Sequence, residues 1–90
     1  MPTKTINQDN TDDIDLGNSN SMTITAVGGN ASVHVDYKLN GSFSSAIKGS
    51  AGYGNPFTVS VGQTKVVNKS DLESENVRVG ARNANIKVTY

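Results

Sequence analysis

The residues of this chain best suited to chemistry form a polar row in the stretch SVHVDYKLNGSF, residues 32–43, where His34, Asp36 and Lys38 alternate with apolar residues. A histidine oriented by a carboxylate can act as a general base, and His34 is the only histidine available to a Ser/His/Asp arrangement. However, side chains two apart on a strand stand about 7 Å apart, which is too far for a direct hydrogen bond. The sequence also lacks the Gly-x-Ser-x-Gly turn of serine hydrolases. We therefore expect this row to face solvent and the protein not to be an enzyme.

The acidic stretch DNTDDIDLG, residues 9–17, offers the oxygen ligands that calcium prefers. A helix-loop-helix calcium loop needs oxygen ligands at its first, third and fifth positions, then glycine and a later glutamate, and no register of this stretch provides them. The chain has no cysteine, which excludes disulfides and thiolate metal sites. We expect neither a metal nor a cofactor.

Sugar binding is a further chemistry that small β-proteins support, and it usually requires an exposed aromatic ring. The chain has no tryptophan and three tyrosines. By alternation, Tyr37 and Tyr90 fall on the inner face of their strands. Tyr53, in the glycine-rich stretch GSAGYGNP at residues 49–56, is therefore the expected exposed platform.

The elements that must position these residues are strands. Valine, isoleucine and threonine total 23 residues against three leucines, and this excess is typical of strands. Apolar and polar residues alternate in MTITAV, VHVDYKL, FTVSV, NVRVGA and NIKVTY, with glycine- and asparagine-rich turns between these runs. The pattern predicts a single all-β domain, a small antiparallel β-sandwich of about seven strands, Ig-like or jelly-roll-like. The expected core includes these residues: Ile24, Val33, Val35, Val59, Val77, Val79, Ile86 and Val88.

Residues 1–20 differ from the sandwich domain expected at residues 21–90, because they are acidic and rich in asparagine. We interpret them as a polar N-terminal arm or edge strand, with residues 1–12 mobile. Residues 1–36 carry a net charge of −4 and residues 37–90 a net charge of +4, so the arm could bind its own domain or a neighbouring copy. Three apolar side chains would anchor the arm: Ile6, Ile14 and Leu16. The remaining interface candidates are three carboxylates and the loop tyrosine: Asp12, Asp13, Asp15 and Tyr53.

Overall charge and hydropathy exclude two classes of partner. The formal net charge is zero, which argues against a nucleic-acid-binding surface spread over the whole molecule, and we expect no nucleic-acid partner. No segment approaches the roughly 20 apolar residues that span a bilayer, so we expect no membrane partner. The first residues lack the basic and apolar pattern of a secretory signal, and we expect synthesis in a cytoplasm.

The order MTITAVGGNASVHVDYKLNGSF, a glycine-rich loop, FTVSV and ENVRVGARNANIKVTY resembles the small virion proteins of tailed bacteriophages over residues 20–90. The resemblance lies in a strand beginning Thr-Ile-Thr-Ala, a hairpin with Tyr-x-Leu-Asn-Gly and a final pair of strands that contain Val-Arg-Val and Ile-Lys-Val, where those proteins have Val-Arg-Val and Val-x-Val. It implies a non-enzymatic capsid decoration or cement protein in the virion that binds the major capsid protein or another virion protein, as a homo-oligomer. The alternative is a β-sandwich module that binds a glycan or a host surface.

Overall fold

The protein is all-β, as the sequence predicts. A computed structural model describes residues 2–49 and 51–90; Met1 of the expected arm and Ser50 of the glycine-rich loop lie outside the described residues. A short 3₁₀ turn covers Lys69–Asp71, and the described residues contain no α-helix. They form these strands: β1 (Thr3–Ile6), β2 (Thr11–Asp15), β3 (Ser21–Val27), β4 (Ala31–Leu39), β5 (Ser42–Ser45), β6 (Phe57–Val59), β7 (Thr64–Asn68), β8 (Asn76–Arg82) and β9 (Asn85–Thr89).

The strands form two antiparallel sheets that pack as a sandwich. The first sheet has the order β1-β9-β3-β7, and the second has the order β2-β8-β4-β5, with β6 also paired to β4. Six of the eight connections between consecutive strands pass from one sheet to the other, and those between β4 and β5 and between β5 and β6 stay within the second sheet. Because the chain alternates between the sheets in this way, the side chains that point inward on both sheets meet in one apolar layer.

The predicted core is confirmed, since all eight residues expected inside are at most 4% exposed. Four other residues expected on inner faces are not fully buried: Tyr37 and Tyr90 are partly buried, Leu39 is 46% exposed and Val61 is 53% exposed. Leu39 is the last residue of β4, and Val61 lies beyond the end of β6. Alternation fixes which way a side chain points, but burial also needs the opposite sheet to extend that far.

Of the two interpretations of the N-terminal segment, the described residues form edge strands and not a mobile arm. Strand β1 pairs with β9 at the edge of the first sheet, and β2 pairs with β8 at the edge of the second. The expected anchors Ile6, Ile14 and Leu16 are at most 2% exposed and belong to the domain's own core. Short alternating stretches such as Asp-Ile-Asp-Leu become edge strands because each sheet offers them an unpaired neighbour.

The hairpin between β4 and β5 turns at Asn40-Gly41, as the sequence predicts. Both residues have positive φ, 52° for Asn40 and 85° for Gly41, the conformation of a two-residue type I′ turn. The turn fixes the register of the hairpin and places Phe43 directly opposite Lys38. Residues opposite each other in an antiparallel pair share a face, so Phe43 points outward with Lys38.

The burial of Ile14 provides a test of the N-terminal strands. Replacing Ile14 with alanine should reduce the free energy of unfolding by about 2–4 kcal/mol, because it leaves a cavity in the core. Thr11→Ala, on the exposed face of the same strand, should change it by less than about 0.5 kcal/mol. Chemical denaturation followed by circular dichroism measures both values. Equal effects of the two changes would show that β2 does not complete the core.

Candidate functional site

His34 and Asp36 form a direct hydrogen bond on the outer face of β4. Their Nδ1 and Oδ2 atoms are 2.9 Å apart, and both side chains are about three-quarters buried. The expectation that they stand too far apart is therefore wrong, because the side chains lean together above a larger backbone separation. A carboxylate only accepts, so Nδ1 carries the hydrogen of this bond. The row lies on the outer face as predicted, but its first two members are partly buried rather than fully solvated.

The loop before β6 holds this pair in place. Asn55 donates from Nδ2 to the other carboxylate oxygen of Asp36 at 3.1 Å, and its Oδ1 accepts the backbone N–H of Val35 at 2.6 Å. A continuous chain of hydrogen bonds thus runs from the β4 backbone through Asn55 and Asp36 to the imidazole of His34. Such networks fix the orientation of each member.

Gly80 provides the space for the imidazole. It lies opposite His34 in the pairing of β4 with β8, and a Cβ atom added there would overlap the ring. Gly80 is buried although it lies on the outer face of the sheet, because the ring covers it. Close approach of a side chain to the backbone is one of the few reasons for glycine inside a strand.

The His34–Asp36 pair resembles the base and orienting carboxylate of a catalytic triad, but it lacks the third member in the described residues. Ser32 lies on the same outer face, yet no side-chain hydrogen bond joins it to His34 within residues 2–49 and 51–90. A serine nucleophile needs its hydroxyl within about 2.6–3.2 Å of the base. Nor do the described residues contain a group of three or more histidine or carboxylate side chains placed to hold a metal ion.

A second cluster on the same face is centred on Arg78. Its Nε atom lies 3.2 Å from an Asp13 carboxylate oxygen, and its guanidinium carbon lies 4.2 Å from the centre of the Phe43 ring. Arg78 therefore connects β2 and β5 across the second sheet. Stacking on an aromatic face and pairing with a carboxylate are interactions for which arginine is better suited than lysine.

Beside Arg78, the second sheet splits. The pairing of β4 with β8 ends at Asp36 and Arg78, although β4 runs on to Leu39 and β8 begins at Asn76. An open cavity of about 510 Å³ occupies this gap, which we call the β4–β8 cleft. Its lining includes three aromatic residues and several polar ones: Tyr37, Phe43, Tyr90, Asp13, Lys38 and Arg78.

The sequence predicted Tyr53 as the exposed aromatic residue, but Tyr37, Phe43 and Tyr90 line the cleft instead. Tyr37 and Tyr90 are only partly buried, and Phe43 is 47% exposed. Tyr53, the expected platform, instead packs into the domain, with its ring 5.4 Å from that of Phe57 in an edge-to-face contact. Its hydroxyl is buried without a hydrogen-bond partner in the described residues, and burial, followed by the nearby Asp71 carboxylate, raises the pKa of Tyr53.

The acidic residues expected at an interface are already engaged within the chain. Asp12 lies 3.5 Å from the Lys4 ammonium, and Asp13 pairs with Arg78. Asp15 accepts a hydrogen bond from the backbone N–H of Gly17 at 3.0 Å. The division of charge along the chain suggested that the acidic segment binds either its own domain or a neighbouring copy. These contacts lie within its own domain.

The two sheets differ in the charge of their outer faces. On the first sheet, the outward positions carry threonine, serine, asparagine and valine, with Lys87 as the one charged residue in the described part of the chain. Two rows of side chains cross this sheet, and six of their eight members are threonines: Thr3, Thr89, Thr23 and Val66, then Thr5, Lys87, Thr25 and Thr64. The outer face of the second sheet carries six charged residues in addition to His34: Asp13, Asp15, Asp36, Lys38, Arg78 and Arg82.

Comparison with known proteins yields no match to a family model, to a curated protein or to a solved structure. No described helix is long and apolar enough to cross a bilayer.

Because the His34 imidazole lies directly over Gly80, we predict that the effects of mutating these two residues on stability are coupled. Gly80→Ala should destabilise the fold, because the new methyl group displaces the imidazole and breaks its bond to Asp36. In a His34→Ala background the same change should cost less, giving an interaction energy of about 1 kcal/mol or more in a double-mutant cycle. Urea denaturation of the four proteins measures it. Additive effects on the free energy of unfolding would mean that the imidazole does not lie over Gly80.

Proposed function

We propose that this protein is a non-enzymatic structural component of a tailed-bacteriophage virion, a decoration or cement protein that docks on the capsid through the outer face of its first sheet. The choice of this face as the docking surface rests on the difference in charge between the two outer faces. The virion context is supported by the sequence resemblance over residues 20–90. The partner is the major capsid protein or another virion protein, and the chain acts as a homo-oligomer on the lattice.

The outer face of the first sheet is suited to docking for two physical reasons. Charged side chains are depleted at the centre of protein interfaces, because each must lose its hydration there. In addition, Val66, at the end of one threonine row, is 51% exposed, and Val27, on the same face, is 41% exposed. Threonine and valine are stiff at χ1, so ordering them in an interface costs little side-chain entropy.

The N-terminal segment has a different role in this proposal from the one its composition suggested. Its apolar residues lie in the core, Asp12 pairs with Lys4 and Asp13 pairs with Arg78, so it is not available as an arm that orders on contact. Docking therefore depends on a preformed surface. A preformed surface avoids the entropy cost of ordering a segment upon binding.

Thr23→Lys tests the docking face. Thr23 lies between Thr89 and Val66 on this face, so a lysine there would have to be desolvated on docking. We expect co-sedimentation with virions stripped of the protein to weaken by about tenfold or more. Thr58→Lys makes the same exchange on the outer face of the second sheet, opposite Ser32, and should leave binding unchanged.

Salt provides an independent readout. Because the docking face has a single charged residue, co-sedimentation should change little between low and high ionic strength. A wild-type chain that does not co-sediment would overturn the proposal. Equal loss in the two lysine variants, or release by salt, would place the contact on the charged second sheet instead.

A further inference from the structure

We infer that the β4–β8 cleft is a binding site for an uncharged sugar. This site is separate from the proposed docking face, because it opens beside the second sheet, whereas the docking face belongs to the first. The sequence pointed to glycan binding as an alternative function and placed it at Tyr53. In the structure, the exposed aromatic surface lies in the β4–β8 cleft and not at Tyr53.

The shape of the cleft comes from the backbone. The pairing of β4 with β8 stops at Asp36 and Arg78, so the unpaired backbone of the two strands beyond these residues bounds the gap. Its volume of about 510 Å³ lies within the roughly 300–1,000 Å³ typical of ligand sites. Residues from β1, β2, β4, β5 and β8 and the last residue, Tyr90, line it.

The aromatic residues provide apolar surface for the C–H face of a sugar ring. Phe43 is stacked against the Arg78 guanidinium, and 47% of the residue remains exposed. Tyr37 and Tyr90 are packed against the core and only partly buried. Aromatic rings offer large contact areas at a low cost in side-chain entropy. Rings held by the core and by Arg78 are therefore ready to bind without rearrangement.

The polar lining selects an uncharged, hydroxyl-rich ligand. A purely apolar ligand would cover charged groups without satisfying them. An anion would lie near the carboxylates of Asp13 and Asp15, and a cation would lie near Arg78 and Lys38. Hydroxyl groups both donate and accept, so they can bond to the carboxylates and to the Arg78, Lys38 and Asn76 donors together.

The pairing of Arg78 with Asp13 supports this assignment. The ion pair, 3.2 Å between Nε and Oδ1, reduces the net charge that either group presents to the cleft. It also favours one relative orientation of the two planar groups before a ligand arrives. Planar carboxylate and guanidinium groups can each bind neighbouring hydroxyls, and preorganisation lowers the entropy cost of doing so.

The test is a ¹⁵N–¹H NMR titration of the full-length chain with galactose, glucose and N-acetylglucosamine, with glucuronate as a charged comparison. We expect at least one uncharged sugar to cause saturable shifts at residues around the cleft, including Lys38, Asn76 and Tyr90. Phe43→Ala should weaken that binding by about tenfold, because it removes an aromatic surface. Leu39→Ala removes another exposed apolar side chain of the same hairpin, outside the cleft lining, and should leave binding unchanged.

Three results would overturn the inference: no saturable shifts with any uncharged sugar up to its solubility, shifts centred elsewhere on the chain, or salt-sensitive binding of glucuronate alone. The last result would identify an anion site. Circular dichroism of Phe43→Ala checks that the variant is folded. Thr23→Lys should retain sugar binding, and Phe43→Ala should retain virion binding, so the two proposals can fail separately.

Discussion

The antiparallel pairing of β4 with β8 is the constraint on which the rest of this structure depends. It places Val35 opposite Val79 inside the sandwich and His34 opposite Gly80 outside it. A slip of one residue would exchange the two faces of a strand. It would also place the imidazole above a residue with a side chain. Gly80 therefore contributes to the specificity of this register, and the register in turn determines where the two strands part to form the β4–β8 cleft.

The acidic N-terminal segment has a structural explanation once its strands are placed. Strands β1 and β2 are edge strands, and unprotected edges can pair with other chains. Charged residues on short edge strands oppose that pairing, and Lys4, Asp12 and Asp13 lie on these two strands. Their mutual contacts also join the edges, because the Lys4 ammonium donates to the Asp13 carbonyl oxygen at 2.7 Å. The charged residues near the N-terminus are thus explained by the two edge strands, which they protect from pairing and join to each other.

The sequence predicted the fold class and the core because both follow from local alternation. The period of a strand predicted the inward direction of Val33, Val35, Val77 and Val79, and all four lie where the opposite sheet covers them. For the N-terminal segment, an edge strand was only one of two interpretations, because its polar composition also suited a mobile arm and the alternating pattern around Ile14 is short. The His34–Asp36 bond was missed because backbone spacing does not fix side-chain rotamers. The aromatic cleft depends on which strands are neighbours and where their pairing ends. The sequence alone does not provide that information. The Asn40-Gly41 turn was the one available signal, since its register places Phe43 beside Lys38.

The arrangement of the two sheets relates the two proposed sites to each other. The outer faces of two packed sheets point in opposite directions, so a protein docked through the threonine-rich face would hold its second sheet away from the shell. The β4–β8 cleft would then stay open to solvent, together with the charged residues around it. A docking face needs few charges because it must lose water, whereas an exposed ligand site retains polar groups that bind water when it is empty. The difference in charge between the two faces is therefore what a protein with one attached side and one exposed side requires.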